Sequence, residues 1–226
     1  GLVVVNMPLL RHHLLWQDPN KYLYKQQGNT MAQTIVITGA NRGIGLAMAQ
    51  ICQQRGDSVY ALCIQSSEQL DALGINVVDN IDISTDIGIA KAKSALASIS
   101  IDLLINNAGI LRDESLQDFN KNTITEQFNV NALAPLALSQ ALLTNFSAGS
   151  KITFITSRMG SITDNGSGGR YGYRMSKAAL NIGAMSLAKD LSTEQIAVGI
   201  YHPGYVQTDM VNTLGSKING DISADV

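Results

Sequence analysis

From Thr34 onward the chain alternates between short apolar runs and longer amphipathic stretches, and few folds accept that rhythm. The runs "TIVIT" (34–38), "SVYALCI" (58–64), "INVVDNI" (75–81), "IDLLINN" (101–107), "KITFITS" (151–157) and "AVGIYH" (197–202) are rich in β-branched residues and nearly continuous in apolar character. A sheet with one wet face would alternate apolar with polar, whereas unbroken apolarity asks for cover on both faces, as in a parallel sheet. Helical patterns fill the gaps at 43–56, 84–99, 121–145 and 173–193, with a shorter one at 66–73. Strand and helix in turn imply right-handed crossovers. The spacing predicts one α/β domain, a doubly wound parallel sheet of the Rossmann type with about six strands.

The first turn of that pattern is unusual. "TIVIT" runs into "GANRGIG" and then into the helical stretch "LAMAQICQQRG". Gly39 suits a tight turn, Gly43 a close approach of backbone to pyrophosphate, and Gly45 close packing of helix on strand. The positive end of the helix then faces the phosphates. The spacing G-x-x-x-G-x-G differs from the commoner G-x-G-x-x-G fingerprint, and without a ligand the segment would be an ordinary tight βα turn.

Charge narrows the partners. The 226 residues carry a formal net charge of −2 without a Lys/Arg cluster, which argues against nucleic acid or an anionic membrane surface. No apolar run reaches the roughly 18 residues of a membrane span. Cys52 and Cys63 fall in apolar helical and strand patterns and suit reduced core residues, consistent with a cytoplasmic protein. Residues 1–30 mix a short apolar run with His12, His13, Trp16 and prolines. They lack the ordered parts of a signal peptide and read as an extension outside a domain spanning 31–226. The histidine pair has no third ligand at metal-site spacing, so no metal is expected.

Three residue types carry chemistry. Tyr173 and Lys177 are four apart in a helical pattern and share a face. An ammonium near a phenol favours phenolate, so such a tyrosine can exchange a proton with a carbonyl oxygen or alcohol near neutral pH. Taken alone, the spacing also fits an exposed helix face. Tyr171 is a rival, but its partner four residues on is Met175, without charge. Ser157 ends the fifth strand, where ligands of open α/β sheets gather, and its hydroxyl suits a donor to a substrate oxygen. Thr156 and Ser161 keep that choice open on chemistry alone.

"TGANRGIG" (38–45), "NNAG" (106–109), "FNVNALAPL" (128–136), "ITS" (155–157), "YRMSK" (173–177) and "HPGYVQTDM" (202–210), in this order, resemble the short-chain dehydrogenase/reductase family. The run from "TSRMG" to "AALN" is similar to its C-factor and sniffer-type carbonyl reductase branch. The resemblance implies catalytic roles for Asn131, Ser157, Tyr173 and Lys177. Tyr173 would handle the proton, Ser157 polarise the carbonyl, Lys177 hold the nicotinamide ribose and depress the tyrosine pKa, and Asn131 help hold water in a proton path. It places the cofactor against Gly39, Asn41, Arg42, Gly43, Ile44 and Gly45. Asp82 and Ile83 would lie beside the adenine, Asn107, Ala108 and Gly109 near its ribose, and Pro203, Gly204, Val206 and Thr208 over the nicotinamide. His202 reads as packing.

The implied activity is hydride transfer between a nicotinamide cofactor and a small carbonyl or alcohol substrate. The second strand ends in "ALCIQSS" without an acid to take a ribose 2′-hydroxyl, so NADP is expected before NAD. Arg42 suits a 2′-phosphate, Ser66 and Ser67 could add hydrogen bonds, and Ile64 stands where NADP-using relatives often carry a base. The flexible "DNGSGG" (164–169) lengthens the segment before Tyr173 and would reshape the substrate pocket. The chain stops soon after "TDM", where the family continues through a helix and a seventh strand. An exposed edge at 197–202, with poor turnover, is therefore expected. A homo-oligomer is compatible with the pattern. The alternative is a non-catalytic nucleotide-binding or signalling protein of the same fold.

Overall fold

The computed structural model describes residues 3–6 and 32–204, with 206–208, 210 and 222–223 beyond them. In chain order the elements are β1 (Val3–Asn6), β2 (Thr34–Thr38), α1 (Gly43–Gln54), β3 (Ser58–Leu62), α2 (Glu68–Asp71), β4 (Asn76–Val78), α3 (Asp86–Ala95) and β5 (Leu103–Asn106). They continue with α4 (Lys121–Phe128), α5 (Ala134–Ala141), β6 (Lys151–Ile155), α6 (Tyr171–Asp190), β7 (Ala197–His202), β8 (Val206–Gln207) and β9 (Ile222–Ser223). Seven strands form one parallel sheet in the order β1-β7-β6-β5-β2-β3-β4, and β8 pairs with β9 apart from it. Reversal of direction from β2 outward makes the sheet doubly wound, as the alternation predicts.

Pleating sends neighbouring side chains to opposite faces, and each face has its own core. Val36, Leu62, Leu104, Ile152 and Phe154 pack with Leu96, Leu138, Leu142, Leu180 and Ala184 on one side. Ile35, Ile37, Val59, Ala61 and Ile105 pack with Ala49, Cys52 and Leu70 on the other. Both cysteines are buried and free. Helix starts are capped locally: Ser67 accepts from Leu70 N–H, Thr85 from Gly88 N–H, and Asn120 from the N–H groups of Asn122 and Thr123, each satisfying an otherwise orphaned donor.

Two expectations need correction. The helix expected over 121–145 is interrupted by a π-turn at Asn129–Leu133. Pro135 explains it, having no N–H for the carbonyl of Asn131 and a ring that crowds it. The edge expected to lie open beside 197–202 is paired: Val3, Val4, Val5 and Asn6 lie in parallel register with Gly199, Ile200, Tyr201 and His202. The seventh place in the sheet is filled from the N-terminal end, so residues 3–6 do not stand outside the domain. An unpaired edge strand offers a row of backbone groups to any extended segment, and a β-branched run suits that role. The rest of 1–30, with His12 and His13, lies outside the described residues.

Candidate active site

A cavity of about 1210 Å³ runs along the carboxyl ends of the strands. Its walls include Thr38, Leu62, Ile155 and His202, the last residues of β2, β3, β6 and β7. Ligands of doubly wound sheets collect in that crevice.

One end is built from backbone. Gly39 turns at φ +65°, a region that L side chains rarely adopt. A Cβ on Gly45 would lie 2.2 Å from the Gly39 carbonyl oxygen and 2.6 Å from Asn107 Nδ2. Gly45 therefore packs behind the turn and does not line the cavity, while Gly39, Asn41, Arg42, Gly43 and Ile44 do. The turn is braced from β5. Asn107 Nδ2 donates to the carbonyls of Thr38 at 3.0 Å and Gly39 at 3.2 Å. Thr38 Oγ1 accepts from the N–H groups of Asn107 and Ala108, each at 3.0 Å. Thr38 escaped the sequence reading, although a threonine ending the first strand beside glycines was a usable signal. Asp82 and Ile83 line the same end. Asp82 Oδ1 accepts from the N–H and hydroxyl of Ser84 at 3.0 and 2.7 Å.

Ser66 and Ser67 are engaged elsewhere. Ser66 donates to Asp71 at 2.5 Å, and Ser67 donates to the Asn41 carbonyl at 2.7 Å while capping α2. Arg42, Ile64 and Gln65 line the cavity instead. Arg42 is exposed and has no ion-pair partner among the described residues. Gln65 was missed because a lone glutamine in a loop carries no distinguishing pattern.

The other end is built from side chains. Ser157, Tyr173 and Lys177 line it together, with the Ser157 hydroxyl beside the Tyr173 phenol. The rivals fall away. Thr156 Oγ1 donates to Asn181 at 2.7 Å, Ser161 bonds to Thr163 and Asp164, and Tyr171 packs edge-on against Phe119 at 5.5 Å. Burial raises the Tyr173 phenol above its ordinary 10, and the Ser157 hydroxyl draws it partly back. Lys177 is 4% exposed, and its Nζ donates to the Ile155 carbonyl at 2.9 Å. Burial lowers its amine to about 8. The Nζ stands over the Tyr173 ring, 5.7 Å from its centre.

Asn131 is buried behind Gly109 and does not line the cavity. Its Oδ1 accepts from Ile110 N–H at 2.7 Å, and its Nδ2 donates to the Ile110 carbonyl at 2.8 Å and Ser176 Oγ at 3.0 Å. Ser176 Oγ in turn donates to the Tyr173 carbonyl at 2.8 Å. With both amide hydrogens used, this side chain is a clip joining the 109–110 segment to the tyrosine's helix. Ser176 was also missed; it stands inside the quoted "YRMSK" but has no chemistry of its own.

Pro203, Gly204, Val206 and Thr208 follow β7 and line the cavity with His202. Burial lowers the His202 imidazole, as does the charge of Arg158. The 158–170 segment forms an outer wall. It is fastened by an Arg158–Asp164 ion pair at 2.9 Å and by Arg174 donating to Ser167 at 2.8 Å. Among the described residues no group of three or more His, Cys, Asp or Glu could hold a metal ion, and no helix is long and apolar enough to cross a membrane.

This arrangement has clear relatives. The short chain dehydrogenase pattern matches residues 33–219, and the chain belongs to that family of oxidoreductases. It is 32% identical to 1-hydroxy-2-glutathionyl-2-methyl-3-butene dehydrogenase of Rhodococcus sp. (strain AD45) over 78% of this chain and 79% of that one. It is 43% identical to C-signal of Myxococcus xanthus over 49% of this chain and 68% of the relative. An NADPH-bound carbonyl reductase from chicken fatty liver superposes with a TM-score of 0.74 at 29% identity, over 87% of this chain and 88% of that one. A short chain dehydrogenase from Burkholderia cenocepacia J2315 in complex with NADP gives 0.72 at 30%, over 86% of each.

Proposed function

We propose that the protein is an NADPH-dependent carbonyl reductase, reversible as an alcohol dehydrogenase, with Tyr173 as acid and base. The observation that carries the reading is the convergence of Ser157, Tyr173 and Lys177 at one end of a cavity whose other end is a glycine turn. That turn fits a dinucleotide: the positions a Cβ would fill are glycines, the N-terminus of α1 opens beside them, and Arg42 offers an exposed guanidinium toward a 2′-phosphate. No acid stands at the end of β3 to oppose that phosphate. The NADP and NADPH named with the superposing structures support the same choice.

When bound, the nicotinamide supplies a hydride to the substrate carbon. Ser157 donates to the carbonyl oxygen and holds it beside the phenol. Tyr173 gives that oxygen its proton, completing the alcohol; a phenol kept protonated by burial is a competent donor for this direction. Lys177, desolvated and close over the ring, supplies the positive field that favours the phenolate left behind. The reading also places the protein among soluble enzymes of a reducing cytoplasm, acting on small molecules, with 31–226 as the nucleotide-binding domain joined by residues 3–6.

One observation favours a second reading, a nucleotide-binding signalling protein: the 43% identity with C-signal. NADPH oxidation against aldehydes, ketones and diketones separates the two. Turnover is expected, and Tyr173→Phe should reduce it by about 1000-fold while NADPH still binds. NADPH binding without turnover of any carbonyl would favour the signalling reading.

A further inference from the structure

Helix α6, which carries Tyr173 and Lys177, starts without a cap of its own. Its N-cap residue, Arg170, has φ +50° and makes no side-chain cap bond. A non-glycine residue in that region is strained, and first-turn N–H groups left bare and buried cost free energy. The remedy comes from 58 residues earlier. Glu114 Oε2 accepts from Gly172 N–H at 3.2 Å, and the Glu114 carbonyl accepts from Arg170 N–H at 2.7 Å. Asp113 adds a bond from Arg170 Nε at 2.9 Å.

Glu114 is 5% exposed and has no ion-pair partner among the described residues. Its Oε1 accepts from Thr123 Oγ1 at 2.7 Å and Gln127 Nε2 at 2.6 Å, both on α4. Gly172, adjacent to Tyr173, is pressed into the same place. A Cβ there would lie 2.3 Å from Gln127 Nε2 and 2.9 Å from Ile124 Cα. The strut leading to Glu114 begins at Ile110, the residue held by Asn131. One short segment therefore joins the Asn131 clip to the first turn of α6.

We infer that Glu114 is a positioning residue for the proton transfer: its carboxyl group replaces the missing cap of α6 and fixes the first turn so that the Tyr173 phenol meets Ser157. This rests on Tyr173 being the acid and base. A buried carboxyl group serving only α4 would need Thr123 and Gln127 alone. The bond to Gly172 N–H is what ties it to the tyrosine, since a small rotation of one turn displaces a phenol at the far end of its side chain by much more. Misplacement on the scale of 1 Å is enough to cost large factors in rate.

The test is Glu114→Gln. An amide there presents one acceptor oxygen to three donors, those of Thr123, Gln127 and Gly172. It should lower kcat on an aldehyde on the order of 30-fold, with the dissociation constant for NADPH within about twofold of the parent, because the glycine turn is remote. The double variant Glu114→Gln with Gln127→Glu puts a carboxylate back into the network. It restores an acceptor for the residue-114 amide, frees the amide oxygen for Gly172 N–H, and should recover most of kcat. A second readout needs no turnover: the tyrosinate absorbance titration of Tyr173, taken as the difference from Tyr173→Phe, should move in Glu114→Gln and return in the double variant. Unchanged kcat in a Glu114→Gln protein that binds NADPH normally would overturn the assignment. So would an unchanged Tyr173 titration, or losses of kcat, NADPH affinity and melting temperature in step with no recovery in the double variant. A parent without turnover whose Tyr173 titration still responds to Glu114 would sink the proposed activity and leave the positioning role standing.

Discussion

At the glycine-turn end of the cavity the working surface is backbone from a few consecutive residues, 39 to 45, braced by one neighbouring strand. At the other end it is side chains drawn from positions 157, 173 and 177, on a helix held from behind by Asn131 and Glu114 through bonds that span 45 and 58 residues. The first end tolerates almost any side chain that points away and no atom that points in. The second tolerates small shifts of backbone but depends on each polar group keeping its partner. Errors at the two ends should therefore differ in kind: loss of stability and nucleotide binding at the first, loss of rate at the second.

Gly45→Ala should break the comparison most sharply if it is wrong. The added Cβ meets the Gly39 carbonyl oxygen at 2.2 Å, and backbone cannot step aside as a side chain does. A destabilisation of about 3 kcal/mol or more is expected, with nucleotide affinity lost alongside, measured by thermal melting and NADPH titration. Gly109→Ala is the control at the far end. Its Cβ meets Asn131 Oδ1 at 3.2 Å and Lys177 Nζ at 3.7 Å, so it should lower kcat more than stability. Equal melting temperatures for Gly45→Ala and the parent would remove the distinction between the two ends.

The buried lysine gives the catalytic end a pH signature. Burial brings Lys177 from its ordinary 10.5 to about 8. Between these values the unfolded chain still holds the proton that the folded one has released, so stability rises with pH through that window, by up to on the order of 3 kcal/mol. Tyr173 acts in the opposite sense. Its phenol is raised by burial, the folded state keeps its proton longer, and its contribution falls as pH passes the ordinary 10. Denaturant melts of the parent and Lys177→Met at pH 7.5 and about 9.5 should show the rise only in the parent. The same slope in both would mean that the lysine is not desolvated.

Specificity at the nucleotide end is a smaller effect. Arg42→Ala should weaken NADPH by about tenfold, the worth of one exposed charge-assisted contact, and leave NADH nearly unchanged. Direct titration of both cofactors decides it. Tighter binding of NADH by the parent would show that Arg42 does not meet a 2′-phosphate.

The same contrast explains what was legible in the sequence. The glycine turn is contiguous, and each glycine answers a local steric demand, so its position between strand and helix could be read directly. The strands 34–38 and 197–202 were equally plain because both faces are covered. Others were overrun: Cys63 and Ile81 continue the apolar pattern past the ends of β3 and β4 into buried loop positions. The four-residue spacing of Tyr173 and Lys177 announced a shared helix face, but not where the ammonium would lie relative to the hydroxyl. Asn131 was readable as a residue and misread as a helix, because Pro135 interrupts an apolar period that otherwise continues. Glu114 was illegible. In "RDESLQDF" it looks like one more solvated charge, and only Thr123, Gln127 and Gly172, all brought in by folding, bury it.

The N-terminal strand is the extreme of that illegibility, since four residues acquire a structure only from the edge they meet. Val3–Asn6 pairs along Gly199–His202, and so closes the side of the sheet nearest the catalytic end. Deleting residues 1–6 would reopen β7, whose strand ends in His202 at the cavity wall. The lost ladder is short, and the two cores on either face of β2, β5 and β6 remain, so the fall in melting temperature should be modest, about 3 °C. The reopened edge has a second consequence: unpaired backbone groups beside apolar neighbours favour pairing between chains. Sedimentation velocity should therefore show more self-association in the shortened protein, while NADPH affinity stays close to that of the parent because the glycine turn lies across the sheet from β7. A melting temperature and sedimentation profile both unchanged would mean that the strand contributes nothing to the domain, and that its first residues are an appendage after all.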